Sequence, residues 1–309
     1  MNFDETLRTL INERDQDFYI YVGTIEDDNV DKFIKIIRDK EDRKKGCSLI
    51  LTTYGGDPDA GYRIIRSIKR YYDSLTIYVF GVCKSTGTLM ALGADEIVMS
   101  DFGEFGPLDI QLAKDDELSN MSGLNFVQSL VSLNDQLYKS FEENFLGLKR
   151  RSQGSITTKT AAEIGSRLSI GLISPISAQI DPVKLGEVQR AISIAHDYGS
   201  RLCDDYELVS TLITSYPSHG FVIDYDEAKS IFKNVRWVDE DEVIIERSLI
   251  KLMRRQRTEL ISELIPEEEE SDNVSEDSET AEIINLDTVS NVENVENQET
   301  ELPQENPAV

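Results

Sequence analysis

Two hydrophobic periodicities alternate along the first hundred residues. Residues 18–25 (FYIYVGTI) and 47–54 (CSLILTTY) are nearly unbroken apolar runs rich in aromatic and β-branched residues, which is typical of strands in a parallel sheet. Each run is followed by apolar residues at helical spacing, first over 29–40 and then from Asp57-Pro58 onward. The pattern predicts a β-α-β series with right-handed crossovers and a largely parallel sheet.

The alternation continues to about residue 100 and then gives way to helices. Strands are predicted over 75–82 and 96–100, with a short helix over 86–92 between them. After Gly103 the apolar positions recur mostly at helical spacing. Further helices are predicted over 124–149, 158–173, 181–202, 224–232 and 240–265. The chain is therefore expected to be an α/β protein with flanking helices and a helical C-terminal part.

The negative charge is concentrated at the C-terminal end. The 309 residues carry a formal net charge of -26, and residues 266–309 contain 15 Asp and Glu residues but no Lys or Arg. This segment also lacks aromatic residues, so it cannot bury enough apolar surface to offset the entropy of ordering. We predict a folded domain over 1–239, an amphipathic helix over 240–265 and a disordered acidic tail over 266–309.

Composition excludes several classes of protein. An acidic body with an acidic tail repels phosphate backbones, so nucleic-acid binding is not expected, whereas the tail suits a basic partner. No apolar run approaches the roughly 18 residues of a membrane span, and the N-terminus lacks the pattern of a secretion signal. The three cysteines show no metal-ligand spacing and form no disulfide framework. We expect a cytoplasmic protein with reduced thiols and without a metal or cofactor.

Two candidate features lie at the carboxyl ends of predicted parallel strands, where such sheets place their sites. The first is Gly55-Gly56, where paired glycines permit a tight turn and leave an N–H group free to donate. The second is Lys84-Ser85-Thr86-Gly87, which joins a strand to a helix and places the serine hydroxyl near the helix N-terminus. Alone, each has an ordinary structural explanation as a turn or an N-cap. Together they place an N–H donor opposite a nucleophile.

These motifs carry a family resemblance. The segment LTTYGGDP, followed by GVCKSTGTLM and GEFGPLDIQL, resembles the Clp/crotonase-fold serine peptidases, above all the serine dehydrogenase proteinase family. ITTKTAAEIGSRL and SYPSHGFVIDYDEA are also similar to that family, so the resemblance covers roughly 19–235. It implies a Clp/crotonase-like fold, a peptide or protein substrate and a homo-oligomer. It also implies Ser85 as nucleophile and Gly56 and Thr86 as the oxyanion hole. We expect the substrate to lie along the glycine turn, beside Gly55, and Lys84 to lie near a substrate carboxylate or to have a packing role.

The general base is where this sequence departs from the Clp pattern. In the Clp proteolytic subunit a histidine follows the serine by roughly two dozen residues, but here residues 106–111 (GPLDIQ) contain none. Where that subunit has the aspartate of its triad, this chain has His219. We hypothesise that the two have exchanged positions, so that His219 activates Ser85 and Asp109 orients His219, because triads are defined by geometry. The other histidine, His196, is expected to be a packing or surface residue.

Several alternatives stay open. A Ser–Lys dyad similar to that of signal peptide peptidase A would use Lys114 or Lys159 as its base, which requires a pKa lowered by burial. A catalytically inactive Clp-fold scaffold or peptide-binding protein would keep the fold without a competent base. A crotonase-type acyl-CoA enzyme would use the same oxyanion hole without a serine nucleophile. A pyridoxal-phosphate dehydratase is not expected, because the sequence shows no cofactor-lysine motif.

Overall fold

The computed structural model describes residues 2–108, 111–112, 121–256 and 258–267. The helices are α1 (Phe3–Arg14), α2 (Asp27–Asp39), α3 (Pro58–Tyr71), α4 (Thr86–Ala91), α5 (Gly123–Arg151), α6 (Thr158–Ser177), α7 (Pro182–Leu202), α8 (Tyr206–Thr214), α9 (Tyr225–Ile231) and α10 (Glu240–Met253). The strands are β1 (Gln16–Val22), β2 (Gly46–Thr52), β3 (Ser74–Val79), β4 (Val82–Cys83), β5 (Glu96–Met99), β6 (Glu104–Phe105), β7 (Gln111–Leu112), β8 (Met121–Ser122), β9 (Val235–Trp237) and β10 (Leu260–Glu263).

A mostly parallel sheet forms the centre of the molecule. Within the described residues it has six strands in the order β10-β1-β2-β3-β5-β9. All neighbours are parallel except β10, which runs antiparallel to β1. The α/β fold class with a largely parallel sheet and flanking helices is thus confirmed. The parallel strands β1, β2 and β3 end at Val22, Thr52 and Val79. Because these strands run in the same direction, their carboxyl ends lie at one edge of the sheet, and the candidate site lies at that edge.

The sheet is covered by helices on both faces. Successive residues of a strand point to opposite sides, so Tyr19 and Tyr21 of β1 enter one hydrophobic cluster and Phe18 and Ile20 enter the other. The first cluster is completed by α2, α3 and α4 and by residues of α7, α8 and α9. The second is completed by α1 and α10. Near-continuous burial of β1 and β2 explains why these segments are rich in apolar residues in the sequence.

The C-terminal region differs from the sequence prediction. The helix expected over 240–265 ends at Met253, and residues 260–263 form β10 at the edge of the central sheet. The helix ends where the carbonyl of Met253 accepts a hydrogen bond from the Thr52 hydroxyl, at 3.0 Å. Ile245, Leu249 and Met253 belong to the second cluster, so α10 packs against the sheet. The first helix, α1, was not anticipated from the sequence.

The helical hairpin of α5 and α6 protrudes from this core. The two helices pack against each other, and α6 leaves Leu168, Ile170 and Leu172 more than half exposed to solvent. Among the helices that the structure describes, none combines the length and the apolar character needed to cross a membrane. Residues 268–309, which make up nearly all of the predicted acidic tail, lie outside the described residues.

Candidate active site

Ser85 occupies a strained position in a tight turn between β4 and α4. The amide of Gly87 donates to the carbonyl of Lys84 at 2.9 Å and closes a four-residue turn. Ser85 has φ 51° and ψ -114°, the values of the first central position of a type II′ turn, where glycine is the usual residue. A serine held there costs about 1–3 kcal/mol of backbone strain. Nucleophilic serines are presented on a similarly sharp strand-to-helix turn in the α/β-hydrolases.

The glycine turn that follows β2 lies directly against this serine. Gly55 has a φ of 116°, and a Cβ there would approach Ser85 Cβ to 2.8 Å and Ser85 Oγ to 3.2 Å. Gly56 has a φ of 143°, and a Cβ there would come within 2.1 Å of the carbonyl oxygen of Ile25. Only glycine at both positions lets the chain pass between Ile25 and Ser85.

The amides of Gly56 and Thr86 are available to a ligand. Ile25 pairs with the glycine turn by donating to the Gly55 carbonyl at 3.0 Å and accepting from the Asp57 amide at 2.8 Å, which leaves the Gly56 amide outside the pairing. Thr86 is the first residue of α4, and a helix has no acceptor for the N–H group at that position. The Thr86 hydroxyl donates to the Gly56 carbonyl at 2.6 Å and ties the two segments together.

Four residues singled out in the sequence line one cavity. Ser85, Thr86, Gly56 and His219 border a cavity of about 360 Å³ at the carboxyl edge of the sheet. The rest of its lining is mostly apolar and comprises Tyr54, Pro58, Leu89, Leu108, Ala191, Ile194 and Ala195. The structure therefore brings the expected nucleophile, both expected oxyanion-hole positions and the expected base together.

His219 lies in the turn between α8 and α9 and is half-buried. Its turn is closed by a hydrogen bond of 3.1 Å from the Phe221 amide to the Ser218 carbonyl. Farther along, Ile223 and Phe105 exchange two backbone hydrogen bonds, of 2.9 and 3.0 Å. Phe105 belongs to β6, which pairs with β4, the strand that leads into Ser85. A short sheet thus connects the segment that bears the histidine to the segment that bears the serine.

Two residues expected beside the substrate are occupied by contacts within the protein. The Gly55 amide donates to the Thr53 hydroxyl at 2.9 Å, and its carbonyl accepts from Ile25. The ammonium of Lys84 is buried, 3.2 Å from a carboxylate oxygen of Glu104, and Lys84 is not among the residues that line the cavity. Their contact with a substrate stays a prediction.

The remaining candidates either fall outside the described residues or do not line the cavity. Asp109 and Lys114 fall outside the described residues, so the expected Asp109–His219 pair and the Lys114 base stay predictions. Lys159 is exposed in the first turn of α6 and does not line the cavity. His196 stacks on Tyr206 with 5.4 Å between ring centroids, as expected for a packing residue. Burial raises the pKa of the Cys83 thiol, which keeps this neighbour of the site protonated.

Two parts of the candidate site were not predicted from the sequence. One is the helix that forms a wall of the cavity, and the other is a contact from the C-terminal region. Ala191, Ile194 and Ala195 lie on α7, whose sequence pattern is that of an ordinary amphipathic helix and gives no sign of a site. The side chain of Gln256 accepts a hydrogen bond from the Tyr54 amide at 2.8 Å and donates one of 2.8 Å to the Thr24 hydroxyl. No sequence motif marks this glutamine.

Comparison with known proteins gives one family and two solved structures. Residues 17–128 match the model of the ClpP-like SDH-type serine proteinase family. A serine-to-alanine mutant of the 1510-N membrane-bound stomatin-specific protease is 16% identical, with a TM-score of 0.43 over 75% of this chain and 81% of that chain. A lysine-to-alanine mutant of the same protease in complex with a substrate peptide is 17% identical, with a TM-score of 0.30 over 75% of this chain and 98% of that chain. No curated protein sequence matches.

The family match covers one part of the candidate site and leaves out His219 and the wall formed by α7. It includes the glycine turn, the strained serine, and β6, which connects the serine to the histidine turn. Residues 17–128 of the chain are thus similar to the ClpP-like SDH-type serine proteinase family.

Proposed function

We propose that the protein is a serine peptidase that hydrolyses peptide bonds through an acyl-enzyme on Ser85. The observation that carries this proposal is the strained Ser85 turn, which lies within the family match and opens on the same cavity as His219. Strain of this kind persists where the surrounding structure enforces it, and it concentrates at functional sites.

The proposed reaction uses residues around the cavity. Ser85 Oγ attacks the carbonyl carbon of the scissile bond and gives its proton to His219. The oxyanion of the tetrahedral intermediate accepts hydrogen bonds from the Gly56 and Thr86 amides, and losing one such donor typically costs about 10²–10³ in rate. His219 then protonates the leaving amine, and water hydrolyses the acyl-enzyme. Asp109 is proposed to orient His219.

The cavity favours an apolar substrate side chain. Its wall is formed largely by leucine, isoleucine, alanine and proline side chains, and its volume is about 360 Å³. The main chain of the peptide is proposed to lie extended along the glycine turn, where backbone hydrogen bonds add to the affinity.

The alternatives differ in what they require of the serine. A crotonase-type enzyme needs the oxyanion hole but no serine nucleophile, so it gives no reason for the strain at Ser85. An inactive scaffold gives none either. A Ser–Lys dyad would keep the nucleophile and replace His219 by a lysine. Lys159 is exposed in the described structure, whereas a lysine base needs burial.

Assembly and location are further parts of the proposal. A homo-oligomer is supported by the exposed apolar side chains of α6, because contiguous exposed apolar surface marks interaction sites. A cytoplasmic location is supported by Cys47, Cys83 and Cys203, which are all free thiols. The acidic tail is proposed to aid solubility or to dock a basic partner.

Covalent labelling with a fluorophosphonate probe tests the proposed function. The wild-type protein should be labelled, the Ser85→Ala variant should not, and the His219→Ala variant should be labelled at a rate lower by about 10²-fold or more. Lys114→Ala and Lys159→Ala serve as tests of the dyad. Labelling that survives Ser85→Ala contradicts the peptidase assignment. If labelling survives His219→Ala but is lost in one of the lysine variants, the base is that lysine and the site is a Ser–Lys dyad instead of a triad.

A further inference from the structure

The side chain of Lys84 spans the gap between the nucleophile strand and the turn that carries His219. Its Nζ lies 3.2 Å from Glu104 Oε1 and 3.5 Å from the carbonyl oxygens of both Gly220 and Phe221. These two carbonyls belong to the residues immediately after His219. One side chain, attached next to Ser85, therefore contacts the backbone next to His219.

The path of this side chain follows β6. Val82 and Cys83 of β4 pair with Glu104 and Phe105 of β6, and Phe105 pairs in turn with Ile223. The aliphatic part of Lys84 passes Gly106, where an added Cβ would lie 3.2–3.3 Å from three of its carbons. The absence of a side chain at Gly106 thus leaves room for the lysine to reach across the strand.

The surroundings of Lys84 fit neither a general base nor a substrate ligand. A base must offer a free lone pair, whereas this nitrogen faces three acceptors that require N–H donors. A ligand for a substrate carboxylate must reach the cavity, whereas only 9% of the Lys84 side chain is exposed. Its charge is already balanced by Glu104, as a buried ammonium requires.

We infer that Lys84 is a positioning residue, which holds the His219 turn at a fixed distance from Ser85. This inference rests on the proposed function, in which His219 is the base. Backbone hydrogen bonds fix the chain at Ile223, four residues after the histidine, and close the turn from Phe221 to Ser218. Lys84 adds a link at Gly220 and Phe221. A misplacement of about 1 Å in a catalytic group lowers rates by about 10²-fold.

The test is a double-mutant cycle on the second-order rate of fluorophosphonate labelling. Lys84→Met, which keeps the aliphatic length and removes the charge, should slow labelling by about 10-fold or more. Lys84→Arg, which keeps the charge and the donors, should restore most of the rate. In the His219→Ala background Lys84→Met should cause no further loss, since a residue that acts through His219 has nothing left to position.

The matched control is Lys40→Met. Lys40 is also a mostly buried lysine in an ion pair with a glutamate, Glu263, but it lies at the opposite edge of the sheet near Asp17. Its replacement should lower stability and leave the labelling rate unchanged. This control separates a loss of folded protein from a loss of positioning of His219. Thermal unfolding of each variant measures the loss of folded protein.

Two outcomes overturn the role of Lys84. One is labelling of Lys84→Met at the wild-type rate, and the other is an equal slowing of labelling by Lys84→Met with and without His219. Labelling that survives Ser85→Ala contradicts the proposed function itself, so the two failures are distinguishable. If Lys84→Met does not fold, Lys84→Gln, which keeps a polar group for Glu104, takes its place in the same cycle with the same expected results.

Discussion

The hydroxyl of Thr86 donates a hydrogen bond of 2.6 Å to the carbonyl oxygen of Gly56. The amides of these same two residues are the proposed oxyanion-hole donors. One side-chain contact therefore sets the separation of two backbone groups that lie on different strand ends. Preorganisation of this kind lowers the barrier because the donors need no rearrangement as charge develops.

Thr86→Val should weaken this preorganisation. The valine keeps the methyl group that packs beside Gly61 but places a second methyl group where the hydroxyl met the Gly56 carbonyl. We expect fluorophosphonate labelling of Ser85 to slow by about 10-fold or more and the free energy of unfolding to fall by about 1 kcal/mol. Thr86→Ser, which keeps the hydroxyl, should label at close to the wild-type rate. Equal rates for the two variants would contradict the role of this hydrogen bond.

Ser85→Gly should be more stable than Ser85→Ala. Both variants lose the proposed nucleophile and should be inactive, but only glycine adopts a φ of 51° with a ψ of -114° without strain. We expect the glycine variant to exceed the alanine variant by about 1 kcal/mol in the free energy of unfolding, measured by urea titration. Indistinguishable stabilities would mean that the turn relaxes when the hydroxyl is removed.

The sequence predicted the central strands and the turn that carries Ser85 because both are determined locally. β1 and β2 are almost wholly buried, so most of their residues are apolar, and α4 begins at Thr86 as its pattern indicated. β9 and β10 escaped prediction because they have only three and four residues, none of them fully buried. Their pairing with β5 and β1 depends on contacts distant in the sequence, which no local pattern encodes.

The candidate site, as the structure assembles it, could be anticipated to a similar extent. Ser85 and Gly56 follow from motifs at strand ends, and His219 follows from the resemblance of its segment to the family. The apolar wall from α7 depends on how a distant helix packs over the cavity, and alanines such as Ala191 and Ala195 do not distinguish such a helix from any other. The link from Lys84 to Gly220 likewise requires the folded backbone.

Glu242→Gln should destabilise the protein at neutral pH and much less in acid. Glu242 is buried between Arg14 and Arg236, and both of its oxygens accept hydrogen bonds from Arg236 at 2.7 Å. Burial alone would raise the pKa of Glu242, but the bonds from Arg236 and Asp239 and the charge of Arg14 hold the pKa below its usual value. A lowered pKa contributes stability above the unfolded-state value of about 4.3, and that contribution is lost as the pH falls.

We therefore expect the variant to lose roughly 2–3 kcal/mol at pH 7 and to approach the wild type below about pH 4. Urea unfolding at low protein concentration, followed by the fluorescence of Trp237, the single tryptophan, measures both values. A stability difference that does not change between the two pH values would mean that the charge of Glu242 does not matter.

Truncation should separate the acidic tail from the edge strand. A chain ending at Ile265 keeps β10 and should retain both its stability and the labelling of Ser85. A chain ending at Glu259 loses the pairing of β10 with β1, the Lys40–Glu263 ion pair and the buried Leu264. We expect it to be less stable by at least about 3 kcal/mol, measured by thermal or urea unfolding. Loss of labelling in the longer, still folded chain would give the tail a part in the reaction.

The contact from Gln256 to the Tyr54 amide has a consequence for the timing of activity. During synthesis the chain leaves the ribosome from its amino end, so Ser85 and the glycine turn emerge long before Gln256 and β10. Until those residues emerge, the turn lacks this hydrogen bond and β1 lacks one neighbour. A nascent chain thus carries its proposed nucleophile through most of translation without a finished site.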